Sequence, residues 1–198
     1  MLTLFHSPGS CSMGVVFLLE QARLRYELRV VSIRDGQHKR PEYLQLNPKG
    51  KLPALILPGG SVLTEFQAIA FWIGKAADLW PADVEAQART LALLDFIVGS
   101  LHMRGLTLIK VPRKFHQSLD AQRALAEFGR SEVQKGIGFL SGELGEQKYL
   151  LGRFGPADAA AFYALLWCKE EGLILPANLI AYQYRLMALP GADKALQA

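Results

Sequence analysis

The sequence predicts a small domain of mixed strands and helices, in the order β-α-β-α-β-β-α, followed by an all-helical domain. Three observations predict this fold class. Short apolar or alternating runs separate helical patterns over residues 1–77. Turn chemistry with proline and aspartate interrupts the pattern at residues 78–83. Residues 84–198 then show only helical periodicity, so we place a linker at 78–83 between two domains.

The first part of the chain predicts a β-α-β unit. Residues 2–5 form an apolar run typical of a strand, and a helical pattern begins at Ser12 after turn residues. Residues 26–31 alternate in polarity, which predicts the second strand of the unit. A polar, basic loop covers residues 34–40, and Pro41 suits the first turn of a short helix over residues 41–46.

The chain after this short helix predicts a β-hairpin and a further helix. Residues 54–57 are an apolar strand, residues 58–60 a tight turn, and residues 61–63 the partner strand. Thr64 is expected to cap a helix over residues 65–77, whose apolar residues recur on one face.

Pro53 opens the hairpin at a place where a sheet tolerates a residue with no N–H group. If the Leu52–Pro53 peptide bond is cis, the N–H and C=O of Leu52 are free to pair with an extended peptide ligand. The alternative is a trans proline at the edge of the sheet, which the general frequency of X–Pro bonds favours.

The second domain is predicted to contain only helices. A long helix over residues 84–110 ends or kinks at Pro112, and its expected core residues are Leu91, Leu94, Phe96 and Ile97. A second long helix covers residues 118–144 and is weakened by four glycines. Residues 155–158 have the composition of a helix N-terminus, and two short helices finish the chain.

Composition excludes several classes of function. The 198 residues carry a net charge of +4, and no basic run interleaved with aromatic residues argues for nucleic acid as a partner. Charged or amide side chains interrupt every apolar run, so we expect no membrane span, and the N-terminus lacks the features of a signal peptide. Cys11 and Cys168 lie far apart, which favours free thiols in a reducing cytoplasm over a structural disulfide.

Four segments, in order, resemble the cytosolic glutathione transferase family, and the likeness covers essentially the whole chain. They are residues 5–12 (FHSPGSCS), 47–53 (NPKGKLP), 63–65 (LTE) and 150–152 (LLG) leading to Ala157-Asp158. The SPGxCS run, with SLH at residues 100–102, is most similar to the bacterial beta class. The resemblance implies a thioredoxin-like first domain, a cis Pro53, a helical second domain and a homodimer.

The resemblance also implies which residues lie beside the glutathione sulfur. Cys11 stands at the start of a helix, where the dipole favours a thiolate, and is expected to be able to form a mixed disulfide with glutathione. Ser10 is the alternative partner of the sulfur, because some classes use a serine near this place. Leu52, held by Pro53, is expected to pair with the cysteinyl backbone of the tripeptide.

Glu65 and Phe66 are expected to bind the γ-glutamyl end of glutathione. The carboxylate of Glu65 would bind the amine, while the N–H groups of Glu65 and Phe66 receive the carboxylate of the ligand. The family usually has a small residue at the position of Phe66, so this chain departs from the pattern, and the ring is expected to crowd the site.

The remaining candidates are three lysines and a histidine. Lys39, Lys49 and Lys51 are candidates for binding the glycine carboxylate, with ordinary solvated lysines as the alternative. His102 matches a beta-class histidine near the thiol, and either exchanges a proton there or has only a structural role. Glutathione is the expected co-substrate, and no metal is expected.

We therefore expect a cytoplasmic, homodimeric glutathione transferase that transfers the thiol of glutathione to a small hydrophobic electrophile or to a disulfide. The alternative is a binding or scaffold protein that keeps the fold without the reaction. Two departures from the family motivate this alternative: Phe66, and a helix cap at residues 155–158 in which Gly155 replaces the usual Ser or Thr.

Overall fold

The computed structural model describes residues 1–198 and contains one four-stranded sheet with helices around it. The strands are β1 (Leu2–His6), β2 (Tyr26–Val30), β3 (Ala54–Ile56) and β4 (Val62–Thr64). The helices are α1 (Ser12–Gln21), α2 (Pro41–Leu46), α3 (Phe66–Ala76), α4 (Val84–Asp95), α5 (Thr107–Lys110), α6 (Leu119–Leu144), α7 (Pro156–Glu170), α8 (Ala177–Met187) and α9 (Ala192–Gln197). A π-helical stretch, Phe96–Leu106, joins α4 to α5, and short 3-10 helices cover Gln37–Lys39 and Pro112–Lys114.

The sheet has the order β2-β1-β3-β4, with β1 and β2 parallel and the other pairs antiparallel. The helix α1 connects the two parallel strands, which is the predicted β-α-β unit. Thr64 ends β4 instead of capping α3, and Glu65 takes the position before that helix. Apart from this cap, the predicted order of elements and the thioredoxin-like fold followed by helices are confirmed.

One apolar core joins the sheet half of the chain to the helical half. The helix α1 is buried from Ser12 to Leu19 because α3, α7 and α9 all pack against it. Across this contact Phe17 stacks on Phe162 with 4.3 Å between ring centroids. Residues 78–83 connect α3 to α4, and the division into domains 1–77 and 84–198 stays our proposal.

The predicted long helix is present, but its last part has π geometry. The N–H of Thr107 donates to the carbonyl of His102, five residues back, and the Thr107 hydroxyl donates to the same oxygen at 3.0 Å. Leu94 and Ile97 are fully buried as expected. The prediction for Leu91 is wrong, because its side chain is 48% exposed on the other side of α4.

The helical run Val84–Lys110 is apolar over a long stretch, although charged residues such as Asp95 and Arg104 interrupt it as expected. It is 27 residues long, and its most apolar window has a mean hydropathy of 1.4, so by length and composition it could cross a membrane. Leu94, Ile97, Leu101 and Leu106 from this run are buried in the protein core. A core helix of a soluble protein has the same length and composition, so this test alone assigns no membrane location.

Gly129 allows α6 to approach the π-helical stretch and α5 closely. A Cβ atom added at Gly129 would lie 2.8 Å from the Gly105 carbonyl oxygen and 3.1 Å from Leu108 Cβ. A Cβ atom at Gly138, in the same helix, would meet nothing within 4 Å. The glycines predicted to weaken α6 therefore differ in role: Gly129 is required by packing.

We expect Gly129→Ala to lower the free energy of unfolding by about 1–3 kcal/mol, because the added methyl group forces the two helices apart. The matched control, Gly138→Ala, should raise it by about 0.5–1 kcal/mol, since alanine is the better helix former. Urea unfolding followed by circular dichroism measures both. Equal effects of the two substitutions would contradict the close packing.

Candidate functional site

The loop between α2 and β3 is anchored through one backbone carbonyl. The hydroxyl of Tyr43 and the side-chain amide of Asn47 both donate to the Lys51 carbonyl oxygen, at 2.6 and 2.8 Å. The next peptide bond, Leu52–Pro53, is cis, as expected. The segment 47–53 includes Asn47, but its sequence does not indicate that Asn47 and Tyr43 anchor this loop, apart from the position of an asparagine directly after a helix, a common loop anchor.

Cys11 and Leu52 meet at the N-terminus of α1. The Cys11 Sγ atom lies 4.0 Å from the Leu52 carbonyl oxygen, although the residues are 41 positions apart. Burial of the thiol raises the pKa of Cys11 to about 12, and the negative charge of Glu65 acts in the same direction. Burial of the thiol therefore opposes the thiolate that the helix N-terminus favours.

In the free protein we expect Cys11 to react with iodoacetamide about 1000-fold more slowly at neutral pH than an exposed cysteine, because only the thiolate reacts. The rate should rise about tenfold per pH unit between pH 7 and 10. Peptide mass spectrometry separates Cys11 from Cys168, and a synthetic peptide of residues 5–16 is the exposed control. A rate that levels off below pH 9 would contradict the raised pKa.

Ser10, Ser12 and His6 form a chain of hydrogen bonds beside Cys11. Ser10 Oγ lies 2.6 Å from Ser12 Oγ, which lies 2.8 Å from His6 Nδ1. Ser12 and His6 are fully buried, whereas Ser10 is partly exposed. Burial lowers the pKa of His6, so the imidazole is neutral at physiological pH. The chain therefore runs from a buried neutral imidazole to a hydroxyl near the surface.

Glu65 is exposed and has an unusual backbone conformation, with φ of 70° and ψ of 132°. Lys49 Nζ forms an ion pair with Glu65 Oε1 at 2.7 Å and also donates to Thr64 Oγ1 at 2.9 Å. Both side chains of the pair are about half exposed, so the pair contributes less than about 1 kcal/mol. A ligand ammonium group can therefore replace Lys49 at little cost.

Phe66 begins α3, but its ring points away from Glu65 into the core. The side chain is 3% exposed and lies 5.4 Å from the Tyr163 ring, between centroids. A Cβ atom at Gly14 would lie 3.0 Å from Phe66 Cε2 and 2.8 Å from Tyr163 Cδ1, so glycine makes room for both rings. The expected crowding of the site by this ring is thus absent, and the N–H group remains at the helix N-terminus.

His102 lies between two aromatic side chains of α7. Its Nδ1 is 3.2 Å from the Tyr163 hydroxyl, and its ring meets Tyr163 and Trp167 edge to face at 5.5 and 4.9 Å between centroids. Burial lowers the pKa of His102 to about 4. An imidazole with this pKa is a weak base near pH 7, and its contacts with Tyr163 and Trp167 suit a structural role.

Of the three candidate lysines, Lys49 is paired with Glu65 and the other two form no ion pair. Lys39 and Lys51 are exposed and form no ion pair, and a Cβ at Gly50 would lie 2.8 Å from Lys39 Nζ, which places this ammonium over the anchored loop. Two basic residues of the helical half are paired instead: Arg104 with Glu132, and Lys110 with Glu170 and Glu171. The free cations near Leu52 are thus Lys39 and Lys51.

A cavity of about 680 Å³ contains none of the candidate residues. It lies between α4, the end of α6 and the segment before α7, where Arg89, Phe139 and Phe154 line it. The candidate site is defined instead by the meeting of Cys11 with Leu52 at the N-terminus of α1, with Glu65 at the N-terminus of α3.

Comparisons with known families, sequences and solved structures all identify glutathione S-transferases as similar proteins. The family model described as "Glutathione S-transferase, N-terminal domain" matches residues 9–76. Human glutathione S-transferase theta-2 is 39% identical over 200 residues, covering 94% of this chain and 80% of the relative. GstA of Escherichia coli O157:H7 is 27% identical and covers 100% of this chain and 98% of the relative. The solved beta-class glutathione S-transferase of Sphingomonas chungbukensis is 28% identical, with a TM-score of 0.82 and coverage of 98% of this chain and 97% of that chain.

Proposed function

Because the chain belongs to the glutathione S-transferase family, we propose that it binds glutathione and transfers the glutathione thiol to a small electrophile or a disulfide. The observation that carries this proposal is the convergence of Cys11, the Leu52 backbone and Glu65 at the start of two helices. Each group matches a different part of the tripeptide: the sulfur, the cysteinyl backbone and the γ-glutamyl amine.

The site can supply both binding and activation. The N-termini of α1 and α3 favour negative charge, which suits the sulfur at one helix and the γ-glutamyl carboxylate at the other. Lys39 and Lys51 are free cations for the glycine carboxylate. Holding the thiol in this fixed position and stabilising its anion lowers the barrier for attack on an electrophile.

Three assays test this function: retention on glutathione-agarose, conjugation of 1-chloro-2,4-dinitrobenzene, and reduction of a mixed disulfide of glutathione. We expect retention together with at least one of the two activities. Failure in all three would reject the proposal. The identity of the natural electrophile is a separate question, because this fold supports several reactions.

A binding protein without catalysis is the second candidate. The raised pKa of Cys11 supports it, because that side chain is a poor nucleophile in the free protein. The burial of Phe66 argues against crowding by its ring as a cause of weak binding. Micromolar affinity with measurable conjugation would exclude this candidate. A folded protein with a dissociation constant far above the millimolar range would favour a scaffold.

We also propose that the protein is a cytoplasmic homodimer. Both cysteines are free thiols, which suits a reducing compartment. For the dimer, α3, α4 and β4 form a shallow apolar patch that includes Leu63, Phe71, Trp72 and Leu91. Phe71 and Leu91 are 41% and 48% exposed, and a second copy of the chain would cover them.

We expect Leu91→Glu to weaken dimerisation by about 100-fold or more, since it buries a charge in an apolar contact. The matched control is Leu119→Glu, at another exposed leucine, 68% exposed, in the first turn of α6. Sedimentation velocity at several concentrations measures both variants. A dimer that is unaffected by Leu91→Glu would place the interface elsewhere.

A further inference from the structure

We infer that the second substrate is an aromatic electrophile that carries an anionic group, and that Arg113 and Lys114 bind this group. The inference rests on the proposed function and deepens it, because it names the chemical class of the electrophile. Arg113 and Lys114 lie in the short 3-10 helix that follows α5. They determine specificity for the electrophile, whereas other residues bind the tripeptide.

A strip of aromatic rings leads from the start of α1 to the end of α5. A Cβ atom at Gly14, three residues after Cys11, would lie 2.8 Å from Tyr163 Cδ1. The ring of His102 meets Tyr163 at 5.5 Å and Trp167 at 4.9 Å between centroids. His102 is the partly exposed ring of the three, so the aromatic ring of a substrate can pack against it.

The strip ends at a cation that already has anionic partners. Lys110 Nζ lies 5.3 Å from the centre of the Trp167 ring. The same ammonium group forms ion pairs with Glu170 at 2.8 Å and with Glu171 at 3.4 Å. His102 contributes no charge, because burial lowers its pKa to about 4. Neither group is therefore suited to bind an anionic substituent.

The next two cations along the chain are unpaired. Arg113 and Lys114 are both exposed and form no ion pair. The first acidic residue after them, Asp120, pairs with Arg123 instead, at 3.7 Å. Two adjacent cations without acidic partners create a local positive potential, which attracts anions.

The 3-10 helix lies close to the anchored loop that leads to Leu52. Burial lowers the pKa of His38, and the positive charges of Lys39 and Lys114 act in the same direction. Since this effect weakens with distance, Lys114 lies near the loop that carries His38. A Cβ atom at Gly50 would lie 2.8 Å from Lys39 Nζ, so Lys39 lies over the same loop. Cations from both halves of the chain thus flank the space beside Leu52.

The anionic groups of glutathione already have partners in the proposed site. The γ-glutamyl carboxylate is assigned to the N-terminus of α3, and the glycine carboxylate to Lys39 and Lys51. No anionic group of the tripeptide then remains for Arg113 and Lys114. Because these two cations follow the end of the aromatic strip, they suit an anionic substituent on the ring of the second substrate.

The reaction of such a substrate is substitution on an electron-poor aromatic ring. The glutathione thiolate attacks a ring carbon, so that a C–S bond forms and the bond from this carbon to chloride breaks. Chloride leaves with the bonding electron pair, and the proton of the thiol passes to solvent. The anionic substituent stays bound to Arg113 and Lys114 throughout, which fixes the orientation of the ring.

Calorimetric titration with a matched pair of conjugates tests the inference. The probes are S-(4-carboxy-2-nitrophenyl)glutathione and S-(4-carbamoyl-2-nitrophenyl)glutathione, which differ only in that a neutral amide replaces the carboxylate. We expect the carboxylate conjugate to bind about tenfold more tightly, and the double variant Arg113→Gln/Lys114→Gln to lose this preference. Lys114→Arg, which keeps the charge, should keep it. S-methylglutathione, which has no aromatic group, should bind equally to all these proteins.

The matched control is the double variant Lys75→Gln/Lys148→Gln, which changes the net charge by the same amount. Both lysines are exposed and form no ion pair, and neither is a candidate residue. We expect this variant to retain the preference for the carboxylate conjugate. Loss of the preference in both double variants would assign it to the overall charge and overturn the inference.

The outcomes separate this inference from the proposed function. Equal affinity of the unmodified protein for the two conjugates, or a preference that survives Arg113→Gln/Lys114→Gln, would overturn the inference alone. Weaker binding of S-methylglutathione to that double variant would do the same, because it would assign the two cations to the glycine carboxylate. Failure of the unmodified protein to bind S-methylglutathione would reject the proposed function, and this inference with it.

Salt provides a second test that needs no substitution. The two conjugates share the tripeptide, so its own response to ionic strength cancels in the ratio of their affinities. Raising NaCl from about 20 mM to about 500 mM should reduce the preference for the carboxylate conjugate about threefold or more, because salt screens exposed charges. A preference that does not change with salt would contradict binding by Arg113 and Lys114.

Discussion

Replacing Asp158 by alanine should lower the free energy of unfolding by about 3–5 kcal/mol. The carboxylate is 1% exposed and accepts three hydrogen bonds: from the Leu150 N–H at 3.1 Å, from the Gly155 N–H at 2.8 Å and from the Tyr182 hydroxyl. It therefore joins the loop before α7, the N-terminus of α7, and α8. Alanine would leave three buried donors without acceptors.

The helix cap at Gly155 offers no second acceptor that could replace the lost Asp158 carboxylate. Glycine has no side chain, so only the Asp158 half of the capping box exists, as the sequence indicates. The matched control is Asp120→Ala, in the first turn of α6, where the side chain is 93% exposed. Its loss should cost less than about 1 kcal/mol. Urea unfolding at pH 7 compares the two, and a loss under about 1 kcal/mol in Asp158→Ala would contradict this account.

The contribution of Asp158 to the stability of the folded protein should decrease as pH rises. Burial raises the pKa of this carboxyl from its ordinary 3.8 to about 6, although its hydrogen bonds act in the opposite direction. A raised pKa means that the folded state binds the proton more tightly than the unfolded state. The contribution to stability is therefore fully present below about pH 4 and is lost as pH rises through about 6.

Because the side chain in Asp158→Asn cannot ionise, comparing this variant with the native protein isolates the contribution of Asp158 ionisation to the free energy of unfolding. Between pH 4 and 7, the stability of the native protein relative to Asp158→Asn should fall by about 3 kcal/mol. The same unfolding experiment at several pH values measures this difference. A difference that stays constant with pH would show that the pKa is not raised.

Glu65→Gln should weaken glutathione binding about 10- to 150-fold, since it removes the negative partner of the γ-glutamyl amine. Calorimetric titration measures the loss. The matched control is Glu85→Gln, because Glu85 is also exposed near a helix N-terminus and forms an ion pair, with Arg89 at 2.6 Å. An equal change in the two variants would assign the effect to general electrostatics and not to the site.

The backbone of Glu65 permits a test that separates binding from stability. Its φ of 70° with ψ of 132° is a conformation that glycine adopts without strain and other residues rarely adopt. Glu65→Gly should therefore raise the free energy of unfolding by about 1 kcal/mol while it lowers the affinity for glutathione. Such a gain in stability with a loss of binding is expected at a functional residue.

Much of the fold follows from local sequence. Alternating and apolar runs predicted β1 and β2, and the proline at residue 41 marked α2 within its observed bounds. Leu91 was misplaced because helical periodicity does not distinguish a core face from an exposed patch on a neighbouring face. The π-helical stretch, which ends with two bonds from Thr107 to the His102 carbonyl, is not revealed by hydrophobic periodicity.

The candidate site was less accessible to sequence reasoning than the fold. The direction of Phe66 depends on Gly14 and Tyr163, which are distant in the chain. The protonation state of Cys11 depends on burial, which outweighs the helix N-terminus that the sequence shows. The ion pair between Lys49 and Glu65 joins residues that are 16 positions apart, so local sequence does not indicate it. Local motifs thus indicated which residues to consider, and long-range packing determined their chemistry.

A crystal structure of the protein soaked with glutathione tests the assignment of the tripeptide to this groove most directly. We predict two hydrogen bonds between the cysteinyl backbone and Leu52, the ligand amine at the Glu65 carboxylate, and the sulfur beside Cys11 at the N-terminus of α1. Tripeptide density that avoids Leu52 and Glu65, or none at saturating ligand, would contradict it.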